Sequence, residues 1–278
     1  MSQVVVADSE QAVVAGCVRA GLRIATAFVR SGLAISVKSV AVASSMRLAE
    51  RIAMALGRAG QQIDATAVAE DLGVPTGCGS RRAVGAFKKR LARGLRRARR
   101  VRALVRADPR ATKLYSTGVK PQQSYGSCVH GAAPSQVQSM RRAAVLCCAP
   151  AGVQACTTTL LAWRLGSQRD PAVATPLEQV KLWMKLWARA SPTDRRDLRK
   201  AWARALPRVL LRGVRWSRVA GPLQATMAVL GQCGWHPIEP DSWISPDGSE
   251  YAGLQWAPHA NVAILVALEA VFIAAAWR

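Results

Sequence analysis

A chain of 278 residues, half of them apolar, is long enough for one large or two modest domains with real cores, and too apolar to be a disordered tail. Thirty-nine basic against sixteen acidic residues leave a formal charge of +23, and the pI near 11.2 makes a polyanion (RNA, DNA or an anionic membrane) the expected large partner. Arg outnumbers Lys by 31 to 8, a bias that GC-rich coding also produces, so the argument for binding has to rest on clustering.

The seven cysteines are odd in number and irregularly spaced. In a chain too large to need stapling they are expected as reduced thiols of an intracellular protein of the nucleus or cytoplasm. Asp8 and Glu10 come too early for a signal peptide. The stretch from Val13 to Lys38, with Arg19, Arg23 and Arg30, reads as a packed amphipathic helix more readily than as a transit peptide. Val262 to Trp277 is apolar except for Glu269 and shorter than a membrane span, which predicts a buried C-terminal helix and no membrane partner.

In chain order, Val14, Val18, Leu22 and Ala25 predict a helix over 11–31, Leu33 to Ala43 alternates like a strand, and Met46 to Arg58 is again helical up to Gly60. A short strand is expected at Asp71-Leu72-Gly73-Val74, before the breakers Pro75, Gly77 and Gly79. Phe87, Leu91, Leu95, Ala98, Val101 and Val105 then form an apolar stripe, while Lys88, Lys89, Arg90, Arg93, Arg96, Arg97, Arg99, Arg100, Arg102 and Arg106 cover the other faces. No acidic residue occurs from Ser80 to Ala107, where Arg81 and Arg82 bring the basic residues to twelve. Further helices are predicted from Ser135, as its cap, through Cys148, over 176–190, over 193–212 with Thr193 or Asp194 as cap, and from Gly221-Pro222 to Gly231–Gly234. Residues 149–159 read as a loop and 236–258 as turn-rich. The fold class is therefore mainly α, in three parts: a small α+β segment over 1–79, a basic helical segment over 80–150 and a helical region over 151–278.

An arginine-studded helix neutralises closely spaced phosphates and releases their counterions, which makes Lys88, Lys89, Arg90, Arg93, Arg96, Arg97 and Arg100 the expected nucleic-acid contacts. Nothing in the sequence argues for base-specific readout. Trp183 and Trp187, four apart beside Leu182 and Leu186, read as core rather than as a stacking platform. Cys233 and His236 lack a second ligand pair, Cys128 and His130 lack flanking support for a nucleophile, and there is no phosphate loop. No metal, cofactor or small-molecule substrate is expected.

Ser31-Gly32-Leu33-Ala34-Ile35-Ser36-Val37-Lys38, then Asp71-Leu72-Gly73-Val74, the basic helix, and Thr117-Gly118-Val119 with Pro121 and Ser124-Tyr125-Gly126 follow one another in an order that resembles non-LTR retroelement reverse transcriptases from the end of the palm into the thumb. Leu177-Glu178-Gln179-Val180 with Trp183 and Trp187, and Gly221-Pro222 with Gly234-Trp235, are similar to the helical region beyond the thumb. The resemblance covers about residues 10–250 and is strongest over 31–148. It implies a palm remnant, a thumb-like basic segment that grips template-primer duplex, and in Lys38 the family's motif lysine. The aromatic-x-Asp-Asp turn is missing: Val6-Ala7-Asp8-Ser9 stands as its decayed form, or the chain starts just after it. Without metal-binding carboxylates Lys38 has no departing pyrophosphate to protonate, and it reads as an exposed strand lysine. The expectation is a non-catalytic remnant that binds RNA, DNA or their hybrid nonspecifically. The alternative is a helical protein-interaction module whose charge is compositional and whose tryptophan-rich helices take a protein partner.

Overall fold

The computed structural model describes residue 5 and residues 7–36, 38–71, 74–77, 82–149, 156–211, 213–251 and 258–277. These form two compact units, Met1–Ala83 and Val84–Arg278. The protein is mainly α, with eleven α-helices and short strands among the described residues.

The smaller unit opens with α1 (Glu10–Arg30), whose N-terminus is capped by Ser9 Oγ accepting from the Ala12 N–H at 3.2 Å. It packs on α2 (Met46–Arg58), capped in the same way by Ser45. Leu48, Ile52 and Leu56 of α2 are buried with Ala41, and Val13, Val14, Cys17 and Val18 of α1 cover them. The helices approach closely at Gly21, where a Cβ would lie 2.7 Å from Leu56 Cδ2. An ion pair between Arg51 and Glu10 ties them at the surface. By length and composition α1 could also cross a membrane. In the unit its Val13, Val14, Cys17 and Val18 are half-buried on α2, and Arg19 and Arg23 are exposed.

The strand expected over Leu33–Ala43 shrinks to β1 (Val40–Ala41), paired in parallel with β2 (Asp64–Ala65). Alternation at 33–38 finds no partner strand among the described residues, and Leu33 is largely exposed. Lys38 is accordingly not a strand lysine: it sits exposed in a turn, with its N–H donating to Ser36 Oγ at 3.2 Å. Val37 lies outside the described residues. Of the single strand expected at 71–74, Asp71 ends β3 (Val68–Asp71) and Val74 begins β4 (Val74–Gly77), two antiparallel strands in which Asp71 pairs with Val74. Leu72, Gly73, Gly79 and Arg81 are outside the described residues.

The larger unit starts with the basic helix α3 (Gly85–Ala107), followed by a 3-10 turn at Pro109–Thr112, a π-helical turn at Tyr115–Val119 and the short helices α4 (Lys120–Ser124) and α5 (Ser127–His130). Helix α6 (Pro134–Cys148) returns along α3. Its entry is set by Pro134 at the first turn and by Gln136 Oε1 accepting from the Ala133 N–H at 2.9 Å, so Ser135 is not the cap. Helix α7 (Thr157–Leu165) begins inside the expected loop.

Helix α8 (Pro171–Arg189) starts five residues before the expected 176, because Asp170 accepts from the Ala172 N–H at 2.9 Å and Pro176 is tolerated within the helix. Helix α9 (Pro192–Leu210) is capped by Ser191, whose Oγ accepts from the Asp194 N–H; Asp194 stands third in the helix and returns the bond, so neither Thr193 nor Asp194 is the cap. After α10 (Pro222–Gln232), residues 236–251 form a three-stranded antiparallel sheet of β5 (His236–Glu239), β6 (Ser242–Ile244) and β7 (Glu250–Tyr251) rather than a run of turns. Strands this short, broken by Pro237 and Pro240, show no alternation in the sequence. Helix α11 (Pro258–Trp277) buries Ile264, Leu268 and Phe272 in the main core.

Candidate nucleic-acid interface

The buried residues of α3 are Phe87, Leu91, Gly94, Ala98 and Val101, at alternating spacings of four and three. Leu95 and Val105, expected in this stripe, are only half-buried. Phe87 and Leu91 pack with Ala132 and Met140, while Ala98 and Val101 pack with Tyr115, Val119, Ala143, Ala144, Cys147 and Cys148. Gly94 is the member that sequence reasoning missed. Gln123, buried to 1 % exposure, lies across it and donates from Nε2 to the Leu91 carbonyl at 3.4 Å. A Cβ at Gly94 would stand 2.2 Å from Gln123 Cγ. A glycine in an otherwise arginine-dense helix was the available signal.

At 100° per residue, Lys89, Arg93, Arg96 and Arg100 fall within about 60° of one another on the side away from the buried stripe, along about 16 Å of helix. All four are exposed, and among the described residues no ion pair involves any residue of α3. The expected contacts Arg90 and Arg97 are placed differently. Arg90 donates to the Tyr125 carbonyl at 3.1 Å and lies 5.2 Å from the centroid of the Tyr125 ring. Arg97 donates to the Gly118 carbonyl at 3.0 Å. Both sit on the flank where residues 115–125 pack, and they fasten that segment to α3. Lys88 is exposed near the opposite flank with Arg99. The seven expected contacts thus divide into an outward row of four, two arginines with carbonyl partners, and one flanking lysine.

Beneath this face the environment is dry. Burial pushes the Cys147 thiol up to about 12 and the Cys148 thiol up to about 11. Tyr115, 1 % exposed, is held well above the usual phenol range by the same cause. Arg141 of α6, which sequence reasoning did not single out, is a cation paired deep in the fold. It meets Asp170 at 2.9 Å and Thr158 Oγ1 at 2.7 Å, and Thr158 in turn donates to the Ala276 carbonyl.

Five of the tryptophans are core, whereas Trp163 and Trp277 are exposed. Trp183, Trp187, Trp202, Trp235 and Trp243 are fully buried. Trp183 and Trp202 donate from Nε1 to the carbonyls of Pro240 and Pro237, which fixes the hairpin of β5 and β6 over α8 and α9. A stacking platform built on Trp183 and Trp187 is therefore excluded, and these rings do not offer a surface to a protein partner. Among the described residues no three His, Cys, Asp or Glu side chains group as metal ligands. No protein-family model, curated protein or solved structure matches this chain.

Proposed function

We propose that the chain grips nucleic acid nonspecifically through the outer face of α3, with Lys89, Arg93, Arg96 and Arg100 as the principal phosphate contacts and Lys88, Arg90 and Arg97 at its margins. The observation that carries this reading is the row itself: four exposed cations in line, without an acidic residue on the helix or, among the described residues, an ion pair to any neighbour. Phosphates supply the missing counter-charge, and a rigid helix with a packed underside presents it without ordering cost. The order of segments that resembles a reverse-transcriptase palm end and thumb supports the same partner and makes an RNA–DNA hybrid the favoured form. On this proposal the chain is a non-catalytic remnant working inside the cell.

The test is fluorescence-anisotropy titration of an RNA–DNA hybrid, a DNA duplex and single-stranded RNA at 50 and 200 mM salt. Four phosphate contacts predict a loss of roughly a hundredfold in affinity between the two salt concentrations. Changing Lys89, Arg93, Arg96 and Arg100 together to Glu sharply lowers the affinity at 50 mM salt with an unchanged far-UV spectrum; an affinity equal to that of the parent overturns the proposal. Arg97 is left intact because its loss would also release Gly118.

A further inference from the structure

Helix α9 sorts its basic residues as α3 does. Arg195 donates to the Trp187 and Ala188 carbonyls at 3.3 and 3.4 Å and covers the Trp187 ring. Arg199 pairs with Asp241 at 3.1 Å and Glu239 at 3.8 Å and lies over the same ring. These two brace the fold. Arg196, Lys200, Arg204 and Arg208 instead recur every four residues, all exposed, in a row that winds about 120° around the helix from the side opposite the buried Ala205 at Arg196 to its flank at Arg208. Asp197 is the only acid along this row and is 3.7 Å from Lys200. Among the described residues Arg196, Arg204 and Arg208 make no ion pair. Like charges one turn apart repel, and the helix carries three such neighbours in succession. A solvated face on a helix of this kind is commonly relieved by acids at the same spacing; here one acid serves four cations.

We propose that the outer face of α9 is a second phosphate-contacting surface, so that the larger unit engages nucleic acid through two basic helices rather than one. The proposal rests on the nucleic-acid reading of α3 and extends it to four residues, Arg196, Lys200, Arg204 and Arg208, with about 18 Å of helix between the first and the last. The ligand is a sugar–phosphate backbone, read by charge and without base selection.

The experiment measures log Kobs against log[KCl] for an RNA–DNA hybrid with four full-length proteins: the parent, Arg196, Lys200, Arg204 and Arg208 all changed to Gln, Lys89, Arg93, Arg96 and Arg100 all changed to Gln, and a control in which the exposed Arg19, Arg23, Arg30 and Arg47 of the smaller unit are changed to Gln. Each variant loses the same charge, so any difference reports position. The α9 variant is expected to lower the slope by about 3 to 4, at about 0.9 per phosphate, relative to the control. An α9 slope equal to the control, with the α3 slope reduced, overturns the second surface and leaves the α3 reading standing. Slopes equal to the control in both variants remove the two together.

Discussion

Where the C-terminal half of α3 meets α6, the buried contacts include Ala98, Ala143, Ala144, Cys147 and Cys148, whereas the side built by α8, α9 and α10 is filled by Trp183, Trp187, Trp202, Trp235 and Trp243. The two solutions suit different tasks. Small side chains let the C-terminal half of the arginine-covered α3 lie close to α6, while Phe87 and Leu91 meet Met140 at its N-terminal half. Indoles instead fill wide gaps between less regular elements and reach carbonyls of Pro237 and Pro240 that would otherwise be unpaired. A strongly basic surface is thus carried on a dense, small-residue contact, and the bulk of the hydrophobic burial is placed elsewhere.

The sharpest way to break this contrast is to remove an indole. Trp202→Ala is expected to cost about 3–5 kcal/mol, measured by urea unfolding, because it leaves a cavity and an unpaired Pro237 carbonyl. Gly94→Val attacks the other side. It must expel Gln123 and its bond to Leu91, and an overpacking cost of about 1–3 kcal/mol should outweigh the gain in helix propensity. A neutral result would show that α3 and α4 are not in the close contact described. Next in size, Arg97→Ala should destabilise by about 1 kcal/mol through loss of the Gly118 bond, whereas Lys89→Ala stays within about 0.5 kcal/mol, separating bracing from outward cations by thermal melting.

A further effect is pH-dependent and is absent below pH 9. The Cys147 and Cys148 thiols titrate near 12 and 11 in the fold against 9.0 when unburied. Below pH 9 both states hold the protons and the full stability is present. As pH rises from 9 through 11 to 12 the unfolded chain releases them first, so stability falls. A series of Tm values should be flat up to pH 9 in this respect and then decline, and Cys147→Ala with Cys148→Ala should lessen the decline. By contrast Cys156 is exposed and held below the ordinary thiol range by hydrogen bonds from Thr159 and Thr158. A thiol reagent at pH 8 should label it first.

Helix existence was legible wherever apolar residues recur over several turns: α1, α2, α3 and α10 follow the expected ranges closely. The failures have a common cause in partners distant along the chain. Leu33–Lys38 alternates like a strand but has no neighbour to pair with, while β5, β6 and β7 form without alternation because Trp243 and Ile244 meet Pro237 and His236 across a hairpin. Asp170 caps α8 ahead of a proline that, read locally, marks a start. At the candidate site the number and sign of the cations were readable from the sequence. Their division was not, since only the folded positions of Gly118, Tyr125 and Gln123 distinguish Arg90 and Arg97 from the outward row.

All nine tryptophans lie at or beyond Trp163, leaving the smaller unit and α3 without an indole. Intrinsic emission excited at 295 nm therefore watches the C-terminal core and is blind to the melting of α1 and α2. Trp183 and Trp202, with ring centroids 5.3 Å apart and planes inclined by 36°, are close enough for exciton coupling to appear as a far-ultraviolet couplet. Loss of that couplet would time the opening of one side of the molecule, while Tyr115 and Tyr125 are the chromophores through which the basic helix can be followed.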